Sequence, residues 1–153
     1  MSADVVLVVR RSINATVARV FDAWTEPEQL RRWWGPAPVK CSGAEVDLRV
    51  GGQYRIGNLL PDGKVLWIVG EFEVVEPPHV LVYSWRIERE AGLPADVSRV
   101  TVRFQAVDQG TEVLIVHERI DSEATRIDHE KGWHGCLDGL VRLFESSRAQ
   151  AES

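Results

Sequence analysis

The sequence predicts an α+β fold in which a curved antiparallel sheet of about six or seven strands grips a long C-terminal helix, with two short helices after the first strand. Three observations lead there. From Lys40 to Glu118 one strand pattern follows another with no helix between them, which implies an antiparallel meander. The closing segment "GWHGCLDGLVRLF" sets Trp133, Leu137, Leu140, Val141 and Phe144 at i, i+4, i+7, i+8 and i+11, one apolar face of a 3.6-residue period. A sheet of that size has an apolar face that two short helices cannot cover, so the long helix must cross it.

The β-branched run "DVVLVVRRS" reads as a first strand over 5–12. Val17, Val20, Phe21 and Trp24 then mark a short amphipathic helix, with Asn14 or Thr16 as its cap. "TEPEQLRRWW" restarts the helical pattern, and Thr25 with Glu28 reads as a capping box with Pro27 in the first turn. "KCSGAEVDLR" and "VGGQYRIGNLL" are strands separated by a Gly51-Gly52 turn, and "PDG" at 61–63 signals a hairpin. "VLWIVGEFEVVE" and "HVLVYSWRIE" flank a break at Pro77-Pro78. After a polar loop around Gly92 and Pro94, "RVTVRFQAV", the turn "DQG" and "TEVLIVHERI" form a last hairpin. A helix of about 20 residues is expected between Ser122 and Ser147. It contains Gly132, Gly135 and Gly139, each costing a helix interior roughly 1 kcal/mol against Ala, so either close packing or open space is expected beside them.

The length of 153 residues points to a single domain spanning 1–153, large enough to bury a core without metal or disulfide. A net charge of -5 argues against a nucleic-acid surface. Cys41 and Cys136 form no CxxC pattern and read as free thiols in a reducing compartment. The N-terminus shows no signal-peptide pattern and no apolar run is long enough for a membrane span, so a cytoplasmic protein is the expectation. His129 and His134 are five apart rather than four, so no HExxH-type metal site is expected. No dinucleotide, phosphate-loop or nucleophile-elbow motif is present, so neither a cofactor nor a catalytic residue is assigned.

The ordered set "VFDAWTEPEQLRRWWGP", "DLRVGG", "PDG", "GEFEVVEPPHVLVYSW", "VTVRF", "GTEVLIVHE" and "GWHGCLDGL" resembles the START-like, or SRPBCC, superfamily of helix-grip proteins. Within it the chain is similar to the branch named after the C-terminal domain of the activator of the heat-shock protein 90 ATPase. The resemblance implies a cavity between sheet and C-terminal helix. It implies less about activity, since one fold hosts ligand carriers, polyketide cyclases and chaperone-binding domains.

Candidate pocket residues are Trp34, Trp67, Phe72, Trp85, Phe104, His117, Trp133, Cys136, Leu137 and Leu140. Alternation puts Leu81, Tyr83 and Trp85 on one strand face, and Val100, Val102 and Phe104 on another. His117 shares the face of Val113 and Ile115, either as a satisfied core histidine or as a polar group that orients a ligand. Glu71 shares parity with Trp67, Val69 and Glu73, and Glu73 marks that face as exposed. The leading expectation is a non-catalytic protein that binds a small apolar or aromatic molecule. A cyclase or dehydratase-like enzyme with an acid–base group in the pocket, and a chaperone-associated interaction module, are the alternatives. Homodimerisation is left open.

Overall fold

Period-two alternation along seven strands builds one antiparallel sheet with a buried and an exposed face. The computed structural model describes residues 5–35, 40–88, 97–108, 110–120 and 122–152, apart from the side chains of Glu88 and of residues 146–152. The elements run β1 (Val5–Ile13), α1 (Val17–Thr25), α2 (Pro27–Trp33), β2 (Lys40–Val46), β3 (Gln53–Leu59), β4 (Val65–Glu76), β5 (Val80–Glu88), β6 (Ser98–Val107), β7 (Gly110–Ile120) and α3 (Glu123–Glu152). The strand order is β1-β7-β6-β5-β4-β3-β2, so only β1 is displaced from a simple meander. This is the expected α+β helix-grip. The loop read around Gly92 and Pro94, Gln109 of the "DQG" turn and the side chain of Arg148 lie outside the described residues.

The inner face collects Leu7, Val9, Ile13, Tyr54, Ile56, Ile68, Phe72, Leu81, Tyr83, Trp85, Val100, Val102, Phe104, Val113 and Ile115, all buried. Against it lie Leu137, Leu140 and Phe144 of α3, also buried, while Arg142 is exposed. The helix packs most closely on β1 and α2, and Arg11 of β1 pairs with Asp138. Its start is fixed by Ser122, whose Oγ accepts the Thr125 N–H at 3.1 Å. It continues to Glu152, beyond the Ser147 expected from the apolar period, because the last turns are polar and carry no periodic signal.

Two turns behave as their residues predict: Gly51 and Gly63 take φ of +85° and +89°, open to glycine at little cost. The Pro77-Pro78 bond is cis. Thr16, not Asn14, caps α1, its hydroxyl accepting from the Arg19 N–H. The capping box read at Thr25 does not form. Thr25 belongs to the last turn of α1 and donates its hydroxyl to the Phe21 carbonyl at 2.9 Å. Glu26 then stands at the start of α2 without a side-chain cap bond.

Candidate functional site

The space between sheet and helix is largely filled by aromatic rings. Trp24, from α1, stacks 6.1 Å from Trp133 of α3 and meets Trp33 at 4.9 Å. Trp133 meets Trp34 at 5.6 Å and Trp85 at 5.3 Å. Indole N–H groups need partners when buried, and those of Trp24, Trp33, Trp34 and Trp133 find them across the fold, while Trp85 Nε1 has none among the described residues. Trp24 donates to Tyr83 Oη at 3.3 Å, Trp33 to the Ala23 carbonyl at 2.8 Å, Trp34 to Asn58 Oδ1 at 3.0 Å and Trp133 to His117 Nδ1 at 3.1 Å. Tyr83 loses its ordinary acidity, since burial raises its pKa well above the usual phenol value.

Two hollows remain. One, lined in part by Trp24, Tyr54, Phe72 and Tyr83, has about 20 Å³, room for a single water. The other is a cleft of about 150 Å³ where β3, β4 and β5 draw away from the first turns of α3. Trp34, Trp85, Trp133 and Cys136 line it, with Ile68, Leu66 and Ile87 from the sheet. Asn58, Asp128 and His129 supply its polar atoms, and Gly132 stands at its helix side. A Cβ on Gly132 would meet nothing within 4 Å, so this glycine leaves space. A Cβ on Gly139 would lie 2.3 Å from the Trp33 carbonyl, so this one permits contact between α3 and the end of α2. Burial pushes the Cys136 thiol up to about 12, which leaves it an inert lining group rather than a nucleophile.

His117 stands behind the cleft wall. It is fully buried, and both ring nitrogens are engaged. Trp133 offers only a donor, so Nδ1 must accept and the proton resides on Nε2. Nε2 then donates to Ser98 Oγ at 2.7 Å, and Ser98 passes its own hydroxyl to the Trp85 carbonyl at 3.3 Å. The register produces this chain: Ser98 lies opposite Trp85 and Val100 opposite His117, so period two brings Ser98, Trp85 and His117 to one face. Protonating His117 would turn Nδ1 against a donor in a desolvated site. Its pKa is accordingly lowered to about 3, by burial first and by the charge of His129 second. The His129 ring stacks on it at 4.4 Å. Next to His117, Arg119 takes φ of 62°, where β7 bulges between its pairings with Leu7 and Val5.

The sequence-predicted residues thus divide. Trp34, Trp85, Trp133 and Cys136 meet at the cleft. Phe72 lines the small inner hollow instead. Phe104, Leu137 and Leu140 are core, Phe104 lying against Phe21 and Trp24. Trp67 is on the opposite face of the sheet, half-buried under the Arg55 guanidinium at 3.9 Å and lying across Gly57 and Gly43. His117 supports the wall without lining it, so neither a ligand-orienting nor a general-base role fits its position. Sequence reasoning passed over Asn58 and Ser98, and treated His129 only as a metal ligand. The signal for Asn58 and Ser98 was available, since each is a polar residue at a strand position whose neighbours two apart are apolar. Among the described residues no helix is long and apolar enough to cross a membrane.

The profile of the family described as Activator of Hsp90 ATPase homolog 1-like protein matches residues 14–145. No curated protein matches the chain. Among solved structures it is similar to the AHSA1 protein of Silicibacter pomeroyi, at 18% identity over 94% of this chain and 99% of that one, with a TM-score of 0.84. It is similar also to a protein of Rhizobium leguminosarum, at 26% identity over 94% and 96%, TM-score 0.79. The AHSA1-like protein of Aeromonas hydrophila is 26% identical over 94% of each chain, TM-score 0.75. With the helix-grip in place and the profile running from α1 into α3, the chain belongs to the Activator of Hsp90 ATPase homolog 1-like family of the SRPBCC superfamily.

Proposed function

We propose that the protein binds a small, planar, apolar or aromatic molecule in the cleft between β3–β5 and α3, without catalysing its conversion. The observation that carries this reading is the cleft itself: about 150 Å³, walled by the indoles of Trp34, Trp85 and Trp133 and kept open on the helix side by Gly132. Apolar cavities of about this volume accept a single aromatic ring. An exposed apolar cleft is costly in water, whereas a ring laid against three indoles removes apolar surface from solvent at roughly 25 cal/mol per Å². The non-catalytic part rests on His117. A general base must titrate near working pH and reach its substrate, and His117 has a pKa of about 3, with both nitrogens committed inside the wall.

Toluene, a single ring of the size the cleft admits, titrated into ¹⁵N-labelled protein tests this. The indole N–H signals of Trp34, Trp85 and Trp133 should shift together, and Gly132→Leu, which fills the cleft from the helix side, should abolish the shifts. No response in the wild type, or a response that Gly132→Leu leaves unchanged, refutes the cleft as the binding site.

A further inference from the structure

Asn58 indicates what kind of ligand the cleft selects. The residue is 8% exposed, on the inner face of β3 where the residues two and four before it are Ile56 and Tyr54. A buried asparagine on an apolar strand face is costly unless its amide is satisfied. One half is: Oδ1 accepts the Trp34 Nε1–H at 3.0 Å. An indole nitrogen can only donate, so this bond fixes the amide orientation, because a flipped amide would set donor against donor. The Nδ2 donors are therefore the half left over. Among the described residues they make no hydrogen bond, and Asn58 lines the cleft. The Trp34 and Trp85 rings lie 6.1 Å apart.

We propose that the ligand is an aryl carbonyl compound, a ring carrying an acceptor oxygen that receives a hydrogen bond from Asn58 Nδ2 while the ring lies against the indoles. This rests on the cleft being the binding site and adds the chemistry that the site recognises. An apolar ring without an acceptor would enter at the cost of leaving the amide donors dry. A ketone, aldehyde or ester oxygen replaces the water those donors would otherwise hold.

The test uses acetophenone and its carbon isostere α-methylstyrene, with affinities for wild type, Asn58→Leu and Asn58→Asp. The ratio of the two dissociation constants is compared between proteins, which cancels the unequal hydration of the probes. Loss of one neutral hydrogen bond should move the ratio about tenfold against acetophenone in Asn58→Leu. Asn58→Asp, which keeps an acceptor for Trp34 but sets a carboxyl oxygen where the amide donors were, should move it at least as far. On the wild type itself, acetophenone should shift the Asn58 side-chain amide protons downfield and α-methylstyrene should not, a readout that needs no variant to fold. If both probes bind and neither the ratio nor the amide protons respond, the carbonyl assignment is overturned and the cleft stands. If neither probe binds the wild type, both fall.

Discussion

Replacing Gly132 and Gly139 of α3 by alanine should move stability in opposite directions. Both lie inside a helix, where alanine is preferred to glycine by about 0.8–1.0 kcal/mol because the unfolded chain loses less freedom. At Gly132 the new methyl meets nothing within 4 Å, so most of that preference should be realised, about 0.5–1 kcal/mol. In a chain of this length that raises the midpoint of thermal unfolding by roughly 2–4 °C. At Gly139 the methyl would stand 2.3 Å from the Trp33 carbonyl oxygen, and ordinary contact begins near 3.4 Å. Helix α3 and the end of α2 must then separate by about 1 Å, and overpacking of that kind costs about 1–3 kcal/mol. Trp33 and Trp34 are adjacent, so the shift also disturbs the Trp34–Asn58 bond. The net expectation for Gly139→Ala is a loss of about 1–2 kcal/mol after the propensity gain. Urea titration followed by far-ultraviolet circular dichroism measures both variants. A Gly139→Ala protein as stable as wild type would refute the close approach of the two helices, and a destabilised Gly132→Ala would refute the open space.

Leu140→Ala, at a fully buried position under the sheet, should cost about 2–5 kcal/mol by the same titration. Trp133→Phe removes the donor to His117 Nδ1 and leaves a buried acceptor dry, an expected loss of about 1–3 kcal/mol beyond the change in ring area. His117 should make stability fall in acid. Its folded pKa of about 3 lies below its ordinary value of 6.5, so between these the unfolded chain holds a proton that the native one does not. The contribution is therefore complete above about pH 6.5 and is lost as pH falls toward 3. The loss between pH 7 and pH 5 should be about 2 kcal/mol, and should be absent in His117→Gln.

The strands and helices were legible because burial repeats at a fixed period, and the period survives without knowledge of neighbours. Leu81, Tyr83 and Trp85, or Val100, Val102 and Phe104, announce an inner face by themselves. The capping box at Thr25 was misread for a local reason: its hydroxyl has two competing acceptable uses, and the carbonyl of Phe21 one turn back takes it. The end of α3 could not be read because its last turns carry no apolar stripe. Trp67 was assigned to the pocket on its residue type, although its parity with Glu71 and Glu73 already set it on the exposed face, where Arg55 covers it. What no periodicity carries is the pairing of side chains across the fold. Trp34 with Asn58 and Trp133 with His117 join residues 24 and 16 apart in sequence, and only the packing of the helical segments on the sheet brings them together.

Three of the buried polar residues nonetheless fall in a pattern that ties sequence to site. Asn58, Ser98 and His117 each occupy an inner-face position of a different strand, after Ile56, before Val100 and after Ile115. Antiparallel pairing turns these three sequence positions into one place: the end of β3, the start of β6 and the end of β7 lie at the same edge of the grip, together with Trp85 near the end of β5. At the opposite end of β6 and β7 the inner positions hold Phe104, Val113 and Thr111, all buried, and Thr111 gives its hydroxyl to the Ala15 carbonyl at 2.8 Å. A fold stabilised only by burial has no reason to gather three polar side chains at one end, since each costs about 1–3 kcal/mol if left dry. Ser98 and His117 are satisfied by one another, by the Trp85 carbonyl and by the Trp133 indole, and so hold one of the cleft's indoles, that of Trp133, at a fixed angle. Asn58 holds a second, Trp34, through its Oδ1. The polar residues at this end therefore orient the aromatic wall of the proposed cleft, whereas Thr111 at the other end ties β7 to the turn after β1.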